Sequence, residues 1–145
     1  ELVAQSDVVL LVVKPQDMSA TLEQVAPHLN PQALVISFAA GKTIASISAG
    51  IGSSNPVVRV MPNTPALIGL GASGFSFGNG VTDAQKVFVN EFLNATGKAI
   101  EVPEELQDAV TATSGSGPAY FCSCLSLIFA IRFNIDCCCS DERSS

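Results

Sequence analysis

Three apolar runs separated by two segments of helical spacing constrain the fold of this chain more than any other feature. Residues 7–13, 33–38 and 56–61 are rich in Val, Leu and Ile, and residues 16–29 and 43–51 lie between them. Such runs, without polar alternation, are typical of strands buried on both faces. Strands that alternate with helices over short links predict a parallel sheet with crossover helices. The sequence therefore predicts an α/β fold.

The segments after the third strand predict a continuation of this sheet and a further helix. Residues 72–77 and 98–102 are expected to be strands, and residues 83–96 a helix capped by Thr82. Residues 103–113 are expected to be helical, with the apolar face formed by Leu106, Ala109 and Val110.

The character of the sequence changes towards its end. Residues 114–120 read Ser-Gly-Ser-Gly-Pro-Ala-Tyr, the composition of a loop that enters a helix. Residues 122–133 are apolar all round, and residues 134–145 form an atypical tail with three consecutive cysteines. Taken alone, such a loop is more often a helix–helix connection than a ligand site.

Composition excludes several classes of function. The 145 residues are 48% apolar and 14% charged, which indicates a globular chain. The net charge of −6, without a basic stripe, argues against a nucleic-acid partner. The longest apolar run, residues 119–131, is short for a membrane span, so no membrane association is expected. The five clustered cysteines do not form a disulfide framework or a zinc set with the single histidine, which predicts no metal and a reducing, cytoplasmic compartment.

The residues that follow the three predicted strands indicate a ligand site. In an open parallel sheet, ligands bind beyond the carboxyl ends of the strands. Small residues let a flat ring or a ribose approach the backbone, and polar side chains add donors and acceptors. The alternative interpretation is ordinary turns. The predicted site consists of Lys14 and Pro15 after the first strand, Ala39, Ala40 and Gly41 after the second, and Asn63 and Thr64 after the third.

The side chains offer cations near turns but no catalytic pair. Lys14, Lys42 and Arg59 lie beside turns, where an anionic ligand or solvent would meet them. Ser114 and Ser116 have no histidine nearby in the sequence, as a hydrolase triad would need. The carboxylates at residues 104–105 begin a helix, where acidic residues have a structural role. No catalytic residue is therefore predicted, and hydride transfer by a bound cofactor suits such a chain.

Five segments together resemble the pyrroline-5-carboxylate reductase family. They are Val-Val-Lys-Pro-Gln at 12–16, Ala-Ala-Gly at 39–41, Arg-Val-Met-Pro-Asn-Thr-Pro at 59–65, Asp-Ala-Val-Thr at 108–111 and the segment 114–120. The resemblance extends from residue 1 to about 121. It implies an incomplete Rossmann-like cofactor domain over residues 1–103, and the start of an all-helical dimerisation domain over residues 104–133. The tail over residues 134–145 does not match.

The resemblance also implies an activity and residue roles. Such enzymes reduce 1-pyrroline-5-carboxylate to L-proline, the last step of proline biosynthesis, with NADPH or NADH, and a homo-oligomer is expected for the full-length family member. Lys14 and Pro15, residues 39–41, and Asn63 with its neighbour Thr64 would line the ribose–nicotinamide half of the cofactor. Pro118 would lie near the nicotinamide.

Two family features do not occur in this sequence: the glycine-rich phosphate loop and the Ser-Pro-Gly-Gly-Thr-like segment that holds the substrate carboxylate. A frameshifted or mis-spliced end would explain residues 122–145. Little or no reductase activity is expected of these residues alone. Two alternatives stay open. One is another NAD(P)-dependent dehydrogenase of the 6-phosphogluconate-dehydrogenase-like superfamily, and the other is a non-catalytic truncated product that associates with full-length subunits.

Overall fold

The computed structural model describes residues 2–52, 54–63, 65 and 71–116, with side chains described as far as residue 113. Within these residues the strands are β1 (Val8–Leu11), β2 (Leu34–Ser37), β3 (Val57–Met61), β4 (Gly71–Phe77) and β5 (Gly97–Glu101). The α-helices are α1 (Met18–Val25), α2 (Ile44–Ile51), α3 (Asp83–Asn94) and α4 (Gln107–Val110). Short 3-10 turns cover Val3–Gln5, Ala26–His28 and Glu104–Leu106, and a π-helical segment covers Thr111–Ser116. Residues 104–116 are called the crossing helix below.

The strands form one sheet in chain order, β1-β2-β3-β4-β5. β1, β2 and β3 are parallel, with Val9 opposite Val35 and Ile36 opposite Val58. This confirms the Rossmann-like α/β arrangement expected from the sequence. β4 runs antiparallel to β3, and β5 runs parallel to β4. The edge at which β1, β2 and β3 end is called the strand-end edge, and β4 and β5 therefore end at the opposite edge.

Helices cover both faces of the sheet with apolar side chains. One face packs β1, β2 and β3 against α1 and α2, through Leu11, Met18, Leu22, Val35, Ala39, Ile47, Ile51 and Val57. The other face packs the sheet against α3, through Leu34, Ile36, Val58, Val60, Phe75, Val89 and Leu93. The helical spacing expected of residues 16–29 and 43–51 is confirmed within α1 and α2, where Met18 with Leu22 and Ile47 with Ile51 are buried. Full burial of one such side chain contributes about 1.5–3 kcal/mol.

The expectation that the first strand is buried on both faces is wrong. In β1 only Leu11 is buried, and Leu10 is 45% exposed. The cause is the position of β1 at the end of the described sheet, where β2 is its only strand neighbour among the described residues. The neighbouring Val12, on the same face as Leu10, is 72% exposed.

Capping side chains fix the starts of α2 and α3. The Thr43 hydroxyl accepts a hydrogen bond from the Ser46 N–H at 3.1 Å, at the start of α2. The predicted cap at Thr82 is confirmed, because its hydroxyl and the Gln85 side chain form a reciprocal capping box at the start of α3. Each cap satisfies N–H groups that have no partner within the helix.

The crossing helix differs from its predicted form in two ways. The expected inward face is wrong for Leu106, which is 51% exposed, and for Ala109, which is exposed, whereas Gln107 is completely buried. Of the expected face, Val110 is half-buried and approaches Gly74. The sheet surface beneath this helix carries Arg59 and Ser76 rather than apolar side chains, so a polar residue faces it. The helix also continues to residue 116, so the first three residues of the predicted loop are helical.

Candidate functional site at the strand-end edge

The parallel pairing of β1, β2 and β3 brings the segments that follow them to the same edge. Lys14 and Pro15 lie in the turn after β1, and both are exposed. This turn is closed by the Asp17 N–H, which donates to the Lys14 carbonyl at 2.9 Å. The Lys14 ammonium is therefore carried on an ordered turn at the first of three adjacent strand ends.

The segment after β2 is built from small residues. The Phe38 N–H donates to the Leu11 carbonyl at 3.0 Å, and the Ala39 N–H donates to the Ser37 hydroxyl at 3.3 Å. Ala39 is buried, and Gly41 is exposed with a φ of +68°, a conformation that favours glycine. A Cβ built on Gly41 would meet no atom within 4 Å. The backbone at this strand end is therefore open to a flat ligand.

Asn63 follows β3 and has a structural contact of its own. Its Oδ1 accepts a hydrogen bond from the Ala72 N–H at 2.9 Å, and the residue is half-buried. This bond joins the end of β3 to the start of β4, where the chain direction reverses. The side chain is thus held at the strand-end edge. Of the remaining predicted site residues, Ala40 is half-buried, and Thr64 and Pro118 lie outside the described residues.

The expectation that Arg59 is available to an anionic ligand is wrong. Arg59 lies within β3 and is 3% exposed. Its Nη2 lies 2.8 Å from Asp108 Oδ1, and its Nη1 lies 3.8 Å from Glu104 Oε1. A buried guanidinium requires such partners, because burial of an unpaired charge is costly. The sequence did carry a signal, a cation within an apolar strand, followed later by two carboxylates four residues apart on one helix face.

Polar and close-packed contacts seat the crossing helix on β3 and β4. The Gln107 Nε2 donates to the Ser76 hydroxyl at 2.9 Å. One turn later, a Cβ built on Gly74 would lie 3.0 Å from Val110 Cγ1, so glycine permits this approach. Gln107 contacts Ser76, and Val110, later in the chain, contacts Gly74, earlier in β4. The crossing helix is therefore antiparallel to β4. The helix therefore runs from the opposite edge towards the strand-end edge.

The cavities and polar clusters elsewhere do not coincide with this site. A half-open cavity of about 620 Å³ lies at the opposite edge, where Val57 begins β3 and Phe77 ends β4. In the part of the chain that the structure describes, no group of three or more His, Cys, Asp or Glu residues is placed to hold a metal ion. Among those same residues, no helix has the length and apolarity needed to span a bilayer.

This chain is similar in sequence to known oxidoreductases. Residues 1–41 match the family described as "NADP oxidoreductase coenzyme F420-dependent". A pyrroline-5-carboxylate reductase of Pseudomonas aeruginosa is 52% identical over 122 residues, which cover 83% of this chain and 45% of that protein. Over most of its length, the chain resembles pyrroline-5-carboxylate reductases.

Two solved structures extend the resemblance to pyrroline-5-carboxylate reductases from sequence to fold. The Plasmodium falciparum pyrroline carboxylate reductase with NADP bound is 36% identical, with a TM-score of 0.82 over 92% of this chain and 51% of that one. The Coxiella burnetii pyrroline-5-carboxylate reductase is 32% identical, with a TM-score of 0.75 over 98% of this chain and 51% of that one. The chain thus spans about half the length of the relatives that it matches.

Proposed function

We propose that this chain is part of an NADPH- or NADH-dependent oxidoreductase, a pyrroline-5-carboxylate reductase that reduces 1-pyrroline-5-carboxylate to L-proline in proline biosynthesis. The observation that carries the proposal is the alignment of three strand ends. The segments at Lys14, at residues 39–41 and at Asn63 follow adjacent parallel strands at one edge. The NADP in the Plasmodium falciparum relative supports the cofactor class.

The residues at the strand-end edge fit the nicotinamide half of such a cofactor. Gly41 leaves the backbone open to a flat ring, and Lys14 is an exposed cation at the neighbouring strand end. In this proposal Lys14, Pro15, Ala40 and Thr64 belong to the same binding edge. When bound, the reduced nicotinamide supplies the hydride for the imine carbon, and the protein binds and orients the two reactants.

Residues 114–116 lie at the end of the crossing helix that is directed to this edge. We infer that the loop beginning there, with Pro118, meets the nicotinamide from the side of the helical domain. The domain boundary would then lie near residue 103, with the cofactor domain before it and the start of a dimerisation domain at residues 104–133. Residues 134–145 would be an added tail.

Turnover requires more than these 145 residues in this proposal, because the chain spans less than half of the Pseudomonas aeruginosa relative. The whole enzyme would be a homo-oligomer in the reducing environment of the cytoplasm. The five clustered cysteines, unlike a disulfide framework, support that compartment. The chain alone is expected to bind the nicotinamide half weakly and to produce little or no proline.

A fluorescence titration of the 145-residue chain with reduced nicotinamide mononucleotide tests the proposal. Gly41→Leu places a bulky side chain at the strand-end edge, and we expect it to weaken binding at least about fivefold. Gly52→Leu is the matched control. Gly52 has the same φ of +68° and the same open surroundings, but it follows α2 at the opposite edge. The proposed site is supported if both variants lower stability equally but only Gly41→Leu weakens nucleotide binding. The proposal is overturned if the folded wild-type chain shows no saturable binding.

The structure also favours a second candidate function for the chain, association with full-length subunits without catalysis. The exposed apolar residues Leu10 and Val12 lie on or beside β1 at the end of the described sheet, a surface typical of association. Size-exclusion chromatography with a full-length pyrroline-5-carboxylate reductase tests this. Co-elution that is lost in Leu10→Lys would support it, and separate elution at micromolar concentrations would contradict it.

A further inference from the structure

One carboxylate oxygen joins the crossing helix to α2. Glu104 Oε1 accepts a hydrogen bond from the Ile44 N–H at 2.7 Å, although the two residues are 60 positions apart. The same oxygen lies 3.8 Å from Arg59 Nη1, and Arg59 Nη2 lies 2.8 Å from Asp108 Oδ1. One guanidinium and two carboxylates therefore connect α2, β3 and the crossing helix.

The burial of these three side chains is unequal. The Arg59 side chain is 4% exposed, Glu104 is 33% exposed and Asp108 is 82% exposed. An exposed carboxylate adds little to stability by itself. A buried guanidinium, however, is satisfied only where its donors meet acceptors, and its planar fork fixes the directions of those bonds. The contacts therefore define where the crossing helix lies on the sheet more than they stabilise the fold.

Each member of this network lies close in sequence to a segment of the proposed cofactor site. Ile44 follows Gly41, Arg59 lies on β3, after which Asn63 comes, and Asp108 precedes the segment that begins at Ser114. A shift of the crossing helix would change the distance of the 114–116 segment from the other two segments. None of the network side chains is among the residues that would touch the cofactor.

We propose that Arg59, Glu104 and Asp108 are positioning residues that hold the 114–116 segment at a fixed place relative to the strand-end edge. The coupling of the crossing helix to α2 and β3 rests on the described contacts. Its consequence for cofactor binding rests on the proposed function. Asp108 is the most informative member to change, because its side chain is the most exposed of the three.

Amide hydrogen exchange of the full 145-residue chain tests the coupling without any ligand. Asp108→Asn leaves the buried Arg59 with Glu104 as its remaining carboxylate among the network residues. We expect amide exchange to become at least about fivefold faster over residues 107–116 and at Ile44, on a different element. Glu105→Gln is the matched control, an exposed carboxylate about one turn earlier on the crossing helix and outside the network. Asp108→Glu keeps the charge and is expected to restore slow exchange.

Titration with reduced nicotinamide mononucleotide then separates positioning from structure. In Asp108→Asn we expect the affinity to fall at least about fivefold, and in Asp108→Glu to return within about twofold of the wild-type value. Unchanged exchange at Ile44 in Asp108→Asn overturns the coupling. Faster exchange with unchanged affinity overturns the positioning role. A folded wild-type chain that binds no nucleotide refutes the proposed function, and the exchange experiment still decides the coupling.

Discussion

Two helices lie on the same face of the sheet and are held there by opposite kinds of contact. α2 packs Ile47 and Ile51 against the apolar side chains of β2 and β3. The crossing helix, one position further along the sheet, meets Arg59 and Ser76 through Asp108 and Gln107. Its Val110 side chain also closely approaches Gly74 of β4.

The two kinds of contact have different roles: those of α2 stabilise the fold, and those of the crossing helix define its orientation on the sheet. Apolar burial is non-directional and roughly proportional to the area removed from water, so α2 contributes stability without a single required geometry. Hydrogen bonds weaken steeply with misalignment, so the contacts of the crossing helix specify one placement. The helix that leads to the proposed nicotinamide loop is thus the one whose position is most narrowly defined.

The largest expected effect comes from truncating the apolar contact of α2. Ile47→Ala removes a completely buried side chain and leaves a cavity, which is expected to lower the free energy of unfolding by about 3 kcal/mol. Urea denaturation followed by circular dichroism measures this loss. Val87→Ala, at a position that is 57% exposed on α3, is the control and should change stability by less than about 0.5 kcal/mol. A loss below about 1 kcal/mol for Ile47→Ala would contradict the assignment of stability to this contact.

An intermediate effect is expected where the crossing helix approaches β4. Gly74→Val places methyl groups against Val110, whose Cγ1 would already lie 3.0 Å from a Cβ at that position. Overpacking of this kind costs about 1–3 kcal/mol. The double variant Gly74→Val with Val110→Ala should recover part of this loss, as measured by a double-mutant cycle in urea. Additive losses would show that the two positions are not in contact.

The smallest effect is expected at the polar centre of the crossing helix. Gln107→Leu removes the bonds from Nε2 to Ser76 and to the Arg59 carbonyl, at 2.9 and 3.4 Å. It also removes Oε1, which is buried and has no hydrogen-bond partner among the described residues. Because these two contributions oppose each other, the unfolding free energy should change by less than about 1 kcal/mol. If urea denaturation shows that Gln107→Leu lowers the unfolding free energy by more than about 2 kcal/mol, the Gln107 contacts also stabilise the fold.

The sequence predicted the apolar contacts of α2 but not the polar contacts of the crossing helix. The spacing of Ile47 and Ile51 identifies the buried face of α2 directly, because helical periodicity reflects apolar burial. The same rule placed Leu106 and Ala109 inward, and this is wrong because Gln107 faces polar side chains of the sheet. The rule does not include charge pairing, and Asp108 is 49 positions away from Arg59.

The strand ends were predictable because they depend on topology. Lys14, Gly41 and Asn63 lie at one edge whenever three consecutive strands are parallel neighbours. The direction of β4 was not predictable, since a strand of the same composition pairs in either sense. The bond from Ala72 to Asn63 exists only because β4 reverses, so this role of Asn63 was not visible in its local sequence.

The reversal of β4 gives the crossing helix a fixed length requirement. β5 ends at the edge away from the proposed site, so the chain must return across the sheet before residue 114. The five residues of β3 extend about 17 Å, and residues 104–116 at about 1.5 Å each extend about 20 Å. One inserted residue would turn everything after it by about 100° and advance it by about 1.5 Å. An insertion or deletion in this helix is therefore expected to displace the 114–116 segment more than a single substitution does.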